Sequence, residues 1–225
     1  KLTDVDAGVN EYTYDAFGNV LTQKDARNNT IDNSYDINGR LVIKIQALNG
    51  ASNMKLTGYQ YKTFYSNGGG NLEHIVYNDL DNASNSITED YQYDTDDRVK
   101  QITKNFEGVN YISKYEYGNY GRVASITYPS VTNTPLKVNY ATITSDGLVT
   151  NINAQNNGGT PKTIYTISAA NYNHFGQPKS FTIGGLLTGT RVYNILGLPT
   201  QIKTNQSIVT WQDINTTWNL ATGNL

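Results

Sequence analysis

Residues 11–44, EYTYDAFGNVLTQKDARNNTIDNSYDINGRLVIK, state one motif twice: Tyr12-x-Tyr14-Asp15-x-x-Gly18-Asn19-Val20-Leu21, then Tyr35-Asp36-x-x-Gly39-Arg40-Leu41. A catalytic constellation is unique in its chain, whereas a motif copied along a chain meets a backbone requirement common to every copy. The requirement here is a hairpin turn. A carboxylate at the first turn position can accept the backbone N–H two residues on, and glycine three residues later supplies the positive φ that closes a type I turn with a bulge. Tyr12 and Tyr14 fall on one face of the incoming strand, as the period of two in a β-strand requires. A second turn, Asp25-Ala26-Arg27-Asn28-Asn29, then returns the chain to the next tyrosine strand.

Followed along the chain, the unit recurs with variations. Tyr59 and Tyr61 open a third copy, loosened by an insertion and closed by Gly70-Asn71-Leu72. Tyr91 and Tyr93 lead into Asp94, with Asp97 in the place of glycine; aspartate tolerates left-handed geometry, so the turn survives. Tyr115 and Tyr117 precede Gly118 and Gly121, and a weaker copy surrounds Tyr140 with Gly147-Leu148. Tyr172-Asn173 precedes Gly176, Tyr193-Asn194 precedes Gly197, and Trp218-Asn219 precedes Gly223. The anchoring aromatics at 14, 35, 61, 93, 117, 140, 172, 193 and 218 lie 21 to 32 residues apart, so one unit recurs about nine times with loop insertions.

A unit of about 25 residues less two turns leaves two strands of roughly eight residues, each about 25 Å long. The fold expected is therefore all-β: one antiparallel array of β-hairpins over residues 1–225, each hairpin contacting mainly its neighbours. The chain opens inside an apparent strand, KLTDVD, and stops just after a turn, which reads as a segment of a longer array.

Composition agrees with such an array. Leu, Ile, Val and Phe number only 51 of 225 residues, while net charge is −2; the chain folds, but on a thin apolar supply. Tyrosine makes up the difference, with 18 Tyr against 5 Phe, because it buries a ring and keeps its hydroxyl solvated. The near-neutral balance, with no block of Lys or Arg, lacks the electrostatic footprint of a nucleic-acid binder. The absence of cysteine excludes disulfides, thiolate catalysis and Cys-based zinc sites. No apolar run reaches the length of a membrane span.

The pattern Tyr-x-Tyr-Asp-x-x-Gly-Asn/Arg-Leu resembles the YD or RHS (rearrangement hotspot) repeats of bacterial toxin-carrying shells, wall-associated proteins and teneurin ectodomains. The resemblance covers nearly the whole chain and is most specific in the first two copies; later ones carry Asn for Asp at 173, 194 and 219, and Trp for Tyr at 218. It implies a long β-sheet spiralling into a hollow shell that commonly encloses a C-terminal toxic domain. The partners implied are the remaining repeats of the same chain, the enclosed toxin and the bacterial secretion machinery, in a secreted or cell-surface protein without cofactor or catalysis of its own. The sequence shows neither the Asp-Pro-containing core segment common in that family nor a candidate toxin.

Read for chemistry, the recurrent Asp15, Asp36 and Asp94 are turn caps rather than catalytic acids. Asn replaces Asp in later copies, and Asn caps a turn equally well but cannot serve as a general acid. His74 and His174 have no metal-ligand spacing and no nucleophile partner. The loop YNDLDNASNSITED, with Asp79, Asp81, Asn82, Asn85, Glu89 and Asp90, carries hard oxygen ligands but has Ser84 where a calcium hand needs glycine. SNGGGN, residues 66–71, lacks the Lys-Ser/Thr of a phosphate loop and reads as a flexible insertion. The tyrosines suggest cross-strand pairing that stabilises a sheet, with a glycan- or protein-binding adhesive surface as the alternative. The residues expected to matter are thus the turn positions Asp15, Gly18, Asp36, Gly39, Asp94, Gly121, Gly176, Gly197 and Gly223. Beside them stands an aromatic ladder: Tyr12, Tyr14, Tyr35, Tyr59, Tyr61, Tyr91, Tyr93, Tyr115, Tyr117, Tyr172, Tyr193 and Trp218.

Overall fold

The structure is a computed structural model that describes residues 2–4, 8–48, 54–80, 86–132, 134–219 and 222–223. The protein is all-β, as its alternating pattern predicts, and its strands pair antiparallel. The chain divides into two compact units, residues 1–114 and 115–225.

Unit 1 contains β1 (Leu2–Asp4), β2 (Gly8–Tyr14), β3 (Val20–Lys24), β4 (Thr30–Tyr35), β5 (Leu41–Ala47), β6 (Met54–Tyr61), β7 (Leu72–Asp79), β8 (Ile87–Tyr93) and β9 (Val99–Phe106). The first six residues of β10 (Val109–Tyr117) close it by pairing with β9. Each strand pairs with the next in sequence, from Leu2↔Asn10 to Val109↔Phe106. Such a meander puts every second turn on the same edge. The 15–19, 36–40, 62–71 and 94–98 connections share one edge, and the 25–29 turn lies on the other.

Unit 2 follows the same plan through β11 (Val123–Thr127), β12 (Leu136–Ile143), β13 (Val149–Asn156), β14 (Lys162–Thr166), β15 (Ser180–Ile183), β16 (Leu187–Tyr193), β17 (Pro199–Gln206) and β18 (Val209–Asn215). Its ladders run from Ser125↔Asn139 to Gln206↔Val209. The only helical elements among the described residues are two 3₁₀ turns, Asn119–Gly121 and Ala169–Asn171. No described helix is long and apolar enough to cross a membrane.

Each unit is a single layer. In β8, strand alternation sends Ile87, Glu89, Tyr91 and Tyr93 to one face and Thr88, Asp90 and Gln92 to the other. With no second layer to cover either face, the buried apolar side chains among the described residues reduce to Ile75, Tyr93 and Ile167. The chain accordingly exposes 14512 Å², against about 10,000 Å² for a compact monomer of its mass. Stability must come from neighbour-to-neighbour contacts along the ribbon instead of a central core.

Candidate functional site

The repeated unit is built around a clasp. Asp15 Oδ1 accepts the backbone N–H of Phe17 at 2.9 Å and of Asn19 at 2.8 Å, and Asn19 Nδ2 donates to Asp15 Oδ2 at 2.8 Å. The backbone closes beneath it: Gly18 N donates to Asp15 O, and Asp15 N to Asn19 O. Gly18 sits at φ +87°, the left-handed region that a side chain resists.

Asp36 repeats the arrangement with Asn38 and Arg40, each N–H at 2.9 Å. Here the Arg40 guanidinium replaces the amide, with Nε and Nη2 both 2.7 Å from Asp36 Oδ2. Asp94 does the same with Asp96 and Arg98, Arg98 Nε lying 2.8 Å from its Oδ2. Asp97, in the glycine place, takes φ +59°, and its carboxylate accepts from Gly68 N in the neighbouring insertion. That insertion is itself packed: Lys62 N donates to Asn71 O, Gly70 N to Lys62 O, and the Phe64 ring lies where a Gly70 side chain would project.

Asparagine serves equally well in unit 2. Asn173 Oδ1 accepts from Phe175 and Gln177 N–H at 3.0 and 2.9 Å, and Asn194 Oδ1 from Leu196 and Leu198 N–H at 3.0 and 2.9 Å. Gly176 and Gly197 take φ +74° and +77°. Thr144 fills the same place through its hydroxyl, which accepts from Leu148 N at 3.0 Å. Gly121 lies in a different turn: the first position is Gly118, which has no side chain to clasp with, and Gly118 N donates to Arg122 O at 2.8 Å. Near Gly223, Asn219 O accepts from Gly223 N at 2.7 Å. On the opposite edge of unit 1, Asp25 makes the full clasp with Arg27 and Asn29, and Asn28 stands at φ +65° where the other turns have glycine.

The clasp holds its carboxylates ionised. The Asn19 side-chain amide, with the backbone N–H groups of the turn, keeps the Asp15 carboxyl below the usual carboxylate range, and Asn29 does so for Asp25. For Asp36 the Arg40 backbone N–H leads, followed by its guanidinium; for Asp94 the Arg98 side chain leads.

The anchoring aromatics tie one unit to the one before. Tyr35 Oη donates to Val20 O at 2.9 Å, Tyr61 Oη to Leu41 O at 2.8 Å and Tyr93 Oη to Leu72 O at 2.6 Å. In unit 2, Tyr172 Oη donates to Val149 O, Tyr193 Oη to Pro178 O at 3.0 Å and Trp218 Nε1 to Pro199 O at 2.6 Å. In every case the acceptor is the second residue after the preceding turn's glycine. At Val20, Leu41 and Pro199 the ladder is broken by a register shift, as at Thr13/Tyr14 opposite Val20, and a bulge disturbs regular backbone pairing. A ring that carries a terminal donor is therefore required, which phenylalanine lacks and tryptophan has. Burial raises the Tyr61, Tyr93 and Tyr193 hydroxyl pKa values above the usual tyrosine range, so they stay protonated donors.

The other predicted ladder residues have other surroundings. Tyr12 and Tyr14 stack along β2 with ring centroids 6.4 Å apart, and Tyr91 Oη donates to Glu89, which also pairs with Lys104 at 2.8 Å. Tyr59 lies on β6 opposite Ile75, and Tyr115 and Tyr117 on β10. His74 Nδ1 is 2.7 Å from Asp90 Oδ1, and His174 packs on Phe175 in its turn. Of the acidic loop, Asp81, Asn82 and Asn85 lie outside the described residues. Among those described, no three His, Cys, Asp or Glu side chains gather as a metal site.

One contact has no signal in a single repeat. At several turns the residue after the glycine leans over the next unit's glycine: Asn19 Nδ2 lies 3.9 Å from where a Gly39 Cβ would stand, Leu148 Cδ2 lies 3.2 Å from that of Gly176, and the Arg122 guanidinium occupies the place of a Gly147 Cβ. Arg40 Nη1 donates to Gly70 O at 3.0 Å while its guanidinium covers the Tyr61 ring at 4.3 Å, and Gln177 Nε2 donates to Gly197 O at 2.9 Å.

No protein-family model matches this chain, and no curated protein matches it. Solved structures do. The crystal structure of TcdB2-TccC3-TEV aligns over 96% of this chain with a TM-score of 0.68 at 14% identity. That of TcdB2-TccC3-Cdc42 covers 92% at 18% identity and TM-score 0.46, and TcdB2-TccC3 without its hypervariable C-terminal region covers 91% at 15% identity and TM-score 0.42. This chain spans 11%, 13% and 15% of those chains respectively. The chain thus shares its fold, an antiparallel sheet of repeated hairpins, with TcdB2-TccC3-TEV.

Proposed function

We propose that the chain is a stretch of wall in a secreted RHS-repeat shell, enclosing a C-terminal toxin or effector until delivery to a competing or host cell. The observation that carries this reading is the fold shared with TcdB2-TccC3-TEV over 96% of the chain. In this reading residues 1–225 form one repeat region of about nine hairpins. The remaining repeats, the enclosed passenger and the secretion machinery of a bacterium are its partners, and the shell is secreted or held at the cell surface.

The chemistry of the clasp supports a structural role without catalysis. Asp and Asn exchange at the same place with the same two backbone N–H bonds, and Thr144 keeps the second of them; a general acid would not survive these exchanges. Asp15, Asp36, Asp94 and the turn glycines act as fasteners, and Tyr35, Tyr61, Tyr93, Tyr172, Tyr193 and Trp218 of the aromatic ladder as the ties between them.

Cryo-electron microscopy of the full-length protein that contains this chain tests the proposal. A closed sheet around density that the wall does not explain is the expected result. An open ribbon with nothing inside would overturn containment and put an adhesive surface first; binding of the ribbon to a glycan array, lost on tyrosine-to-alanine change at one patch, would then identify that surface.

A further inference from the structure

The dipeptide Asn-Gly closes turns by supplying positive φ. It is also the dipeptide in which a main-chain amide most readily attacks the preceding side-chain amide, because glycine leaves its own nitrogen unshielded. Whether it reacts depends on where the glycine N–H is spent. In unit 1 that group is engaged. Asn38-Gly39 fills the third and fourth positions of its turn, so Gly39 N donates to Asp36 O at 2.9 Å, and Asn67-Gly68 is held by Gly68 N donating to the Asp97 carboxylate. In unit 2 the same dipeptide is shifted by one place. The turn 156–159 between β13 and β14 closes through Gly159 N donating to Asn156 O at 2.8 Å, with Asn157 at φ +43° and Gly158 at φ +74° in its central positions. This is the primed turn that suits a hairpin, and the N–H of its third residue takes no part in the closing bond. Gly158 N has no acceptor among the described residues, no atom stands within 4 Å of where a Gly158 Cβ would be, and Asn157 and Gly158 are both exposed.

We propose that Asn157 is a site of spontaneous modification, converted to isoaspartate and aspartate ahead of Asn38 and Asn67, and that isoaspartate there loosens the β13–β14 hairpin. The Gly158 main-chain nitrogen gives its proton to hydroxide or buffer base and attacks Asn157 Cγ. A nitrogen–Cγ bond forms and the Cγ–Nδ2 bond breaks, so ammonia leaves and a five-membered succinimide remains. Water then adds to one of the two ring carbonyls. Opening one way restores the ordinary main chain as aspartate, and opening the other way routes the main chain through Cγ as isoaspartate. Nothing is oxidised or reduced. Isoaspartate adds a methylene to a two-residue turn whose geometry fixes the register of its strands. β14 depends on that register, because it shares four ladder pairs with β13 and only two with β15. The reaction rests on the turn alone and does not depend on containment.

Incubation of the 225-residue chain in mildly alkaline buffer, followed by trypsin digestion and mass spectrometry with fragment-ion localisation, tests this. Asn38, Asn67 and Asn157 fall in separate tryptic peptides, 28–40, 63–98 and 138–162, and Asn49-Gly50, outside the described residues, falls in a fourth. A digest made before incubation sets the background, and the same chain in guanidinium chloride gives the rates with no turn formed. In the folded chain Asn157 should exchange its amide for a carboxylate at least roughly tenfold faster than Asn38 or Asn67, whereas in guanidinium the three rates should converge. Electron-transfer fragmentation should find isoaspartate at position 157, and hydrogen exchange of residues 162–166 should quicken in the converted fraction. Asn157→Gly, which keeps a residue tolerant of positive φ, should abolish ammonia release from 138–162. The proposal is overturned if Asn38 or Asn67 reacts as fast as Asn157 in the folded chain, or if Asn157 stays unchanged there while the unfolded chain converts. Exchange in 162–166 that does not move after conversion would overturn the effect on the hairpin.

Discussion

At the scale of a residue, the tyrosine of the repeat is selected by the donor at its tip as much as by its ring. Tyr93 shows both demands: the side chain is buried, and its hydroxyl donates to Leu72 O at 2.6 Å, 21 residues back in the chain. Tyr93→Phe keeps the ring and strands the carbonyl, which is expected to cost about 1 kcal/mol and to lower the urea midpoint of unfolding. Tyr14→Phe is the control, because among the described residues no acceptor faces the Tyr14 hydroxyl, and its midpoint should not move. Equal midpoints for Tyr93→Phe and the parent would mean that the ring alone matters. Trp218 makes the same point from nature's side: an indole N–H reaches Pro199 O where a tyrosine hydroxyl serves elsewhere.

At the scale of the hairpin, what is legible in the sequence is what acts over a few residues. Asp15 reaches N–H groups two and four residues on, and strand alternation acts over two, so the all-β hairpin fold can be read from Glu11–Lys44 alone. The tie between hairpins cannot, because its acceptor is a backbone carbonyl, and every residue has one. Nor can the Thr144 clasp, since a hydroxyl in the aspartate place breaks the motif's spelling while keeping its hydrogen bond. The glycine is half legible: positive φ can be inferred, but not the neighbour that leans over it. That difference is measurable. Gly18 has nothing within 4 Å of the place where a methyl would stand, whereas at Gly147 a methyl would run into the Arg122 guanidinium. Gly18→Ala should therefore cost only the left-handed backbone term, roughly 1–2 kcal/mol, and Gly147→Ala more. Adding Arg122→Ala to Gly147→Ala should return the loss to the Gly18→Ala level. Strict additivity of the two changes in a double-mutant cycle would show that successive turns are not coupled.

At the scale of the molecule, a single-layer ribbon distributes its stability among fasteners, and the two units use different ones. Unit 1 is closed by four carboxylates, Asp15, Asp25, Asp36 and Asp94, each held below the usual range by the N–H groups and the Asn or Arg of its own turn. Unit 2 is closed by Asn173, Asn194 and Thr144, which have no proton to gain, and its Glu116, held low by Lys137 and Ser125, is one such carboxyl where unit 1 has four. A carboxyl whose folded pKa lies below its unfolded value binds fewer protons when folded. Its contribution is complete above about pH 4 and is lost as pH falls through the lowered folded value. Acid should thus loosen unit 1 before unit 2, and the chain carries the means to see it: both tryptophans, Trp211 and Trp218, lie in unit 2. In a titration downward from pH 5, pepsin should cut first within residues 1–114, and β-sheet circular dichroism should begin to fall while indole emission is still unchanged. Simultaneous loss of both signals, with cuts spread evenly over the two units, would show that the clasp carboxylates do not set the acid limit. Asp36→Asn with Arg40→Gln gives unit 1 the amide pair that Asn173 and Gln177 form at 2.8 Å. That exchange should move the onset of pepsin cleavage around residues 36–40 to lower pH, because the rebuilt clasp no longer contains a group that acid can neutralise.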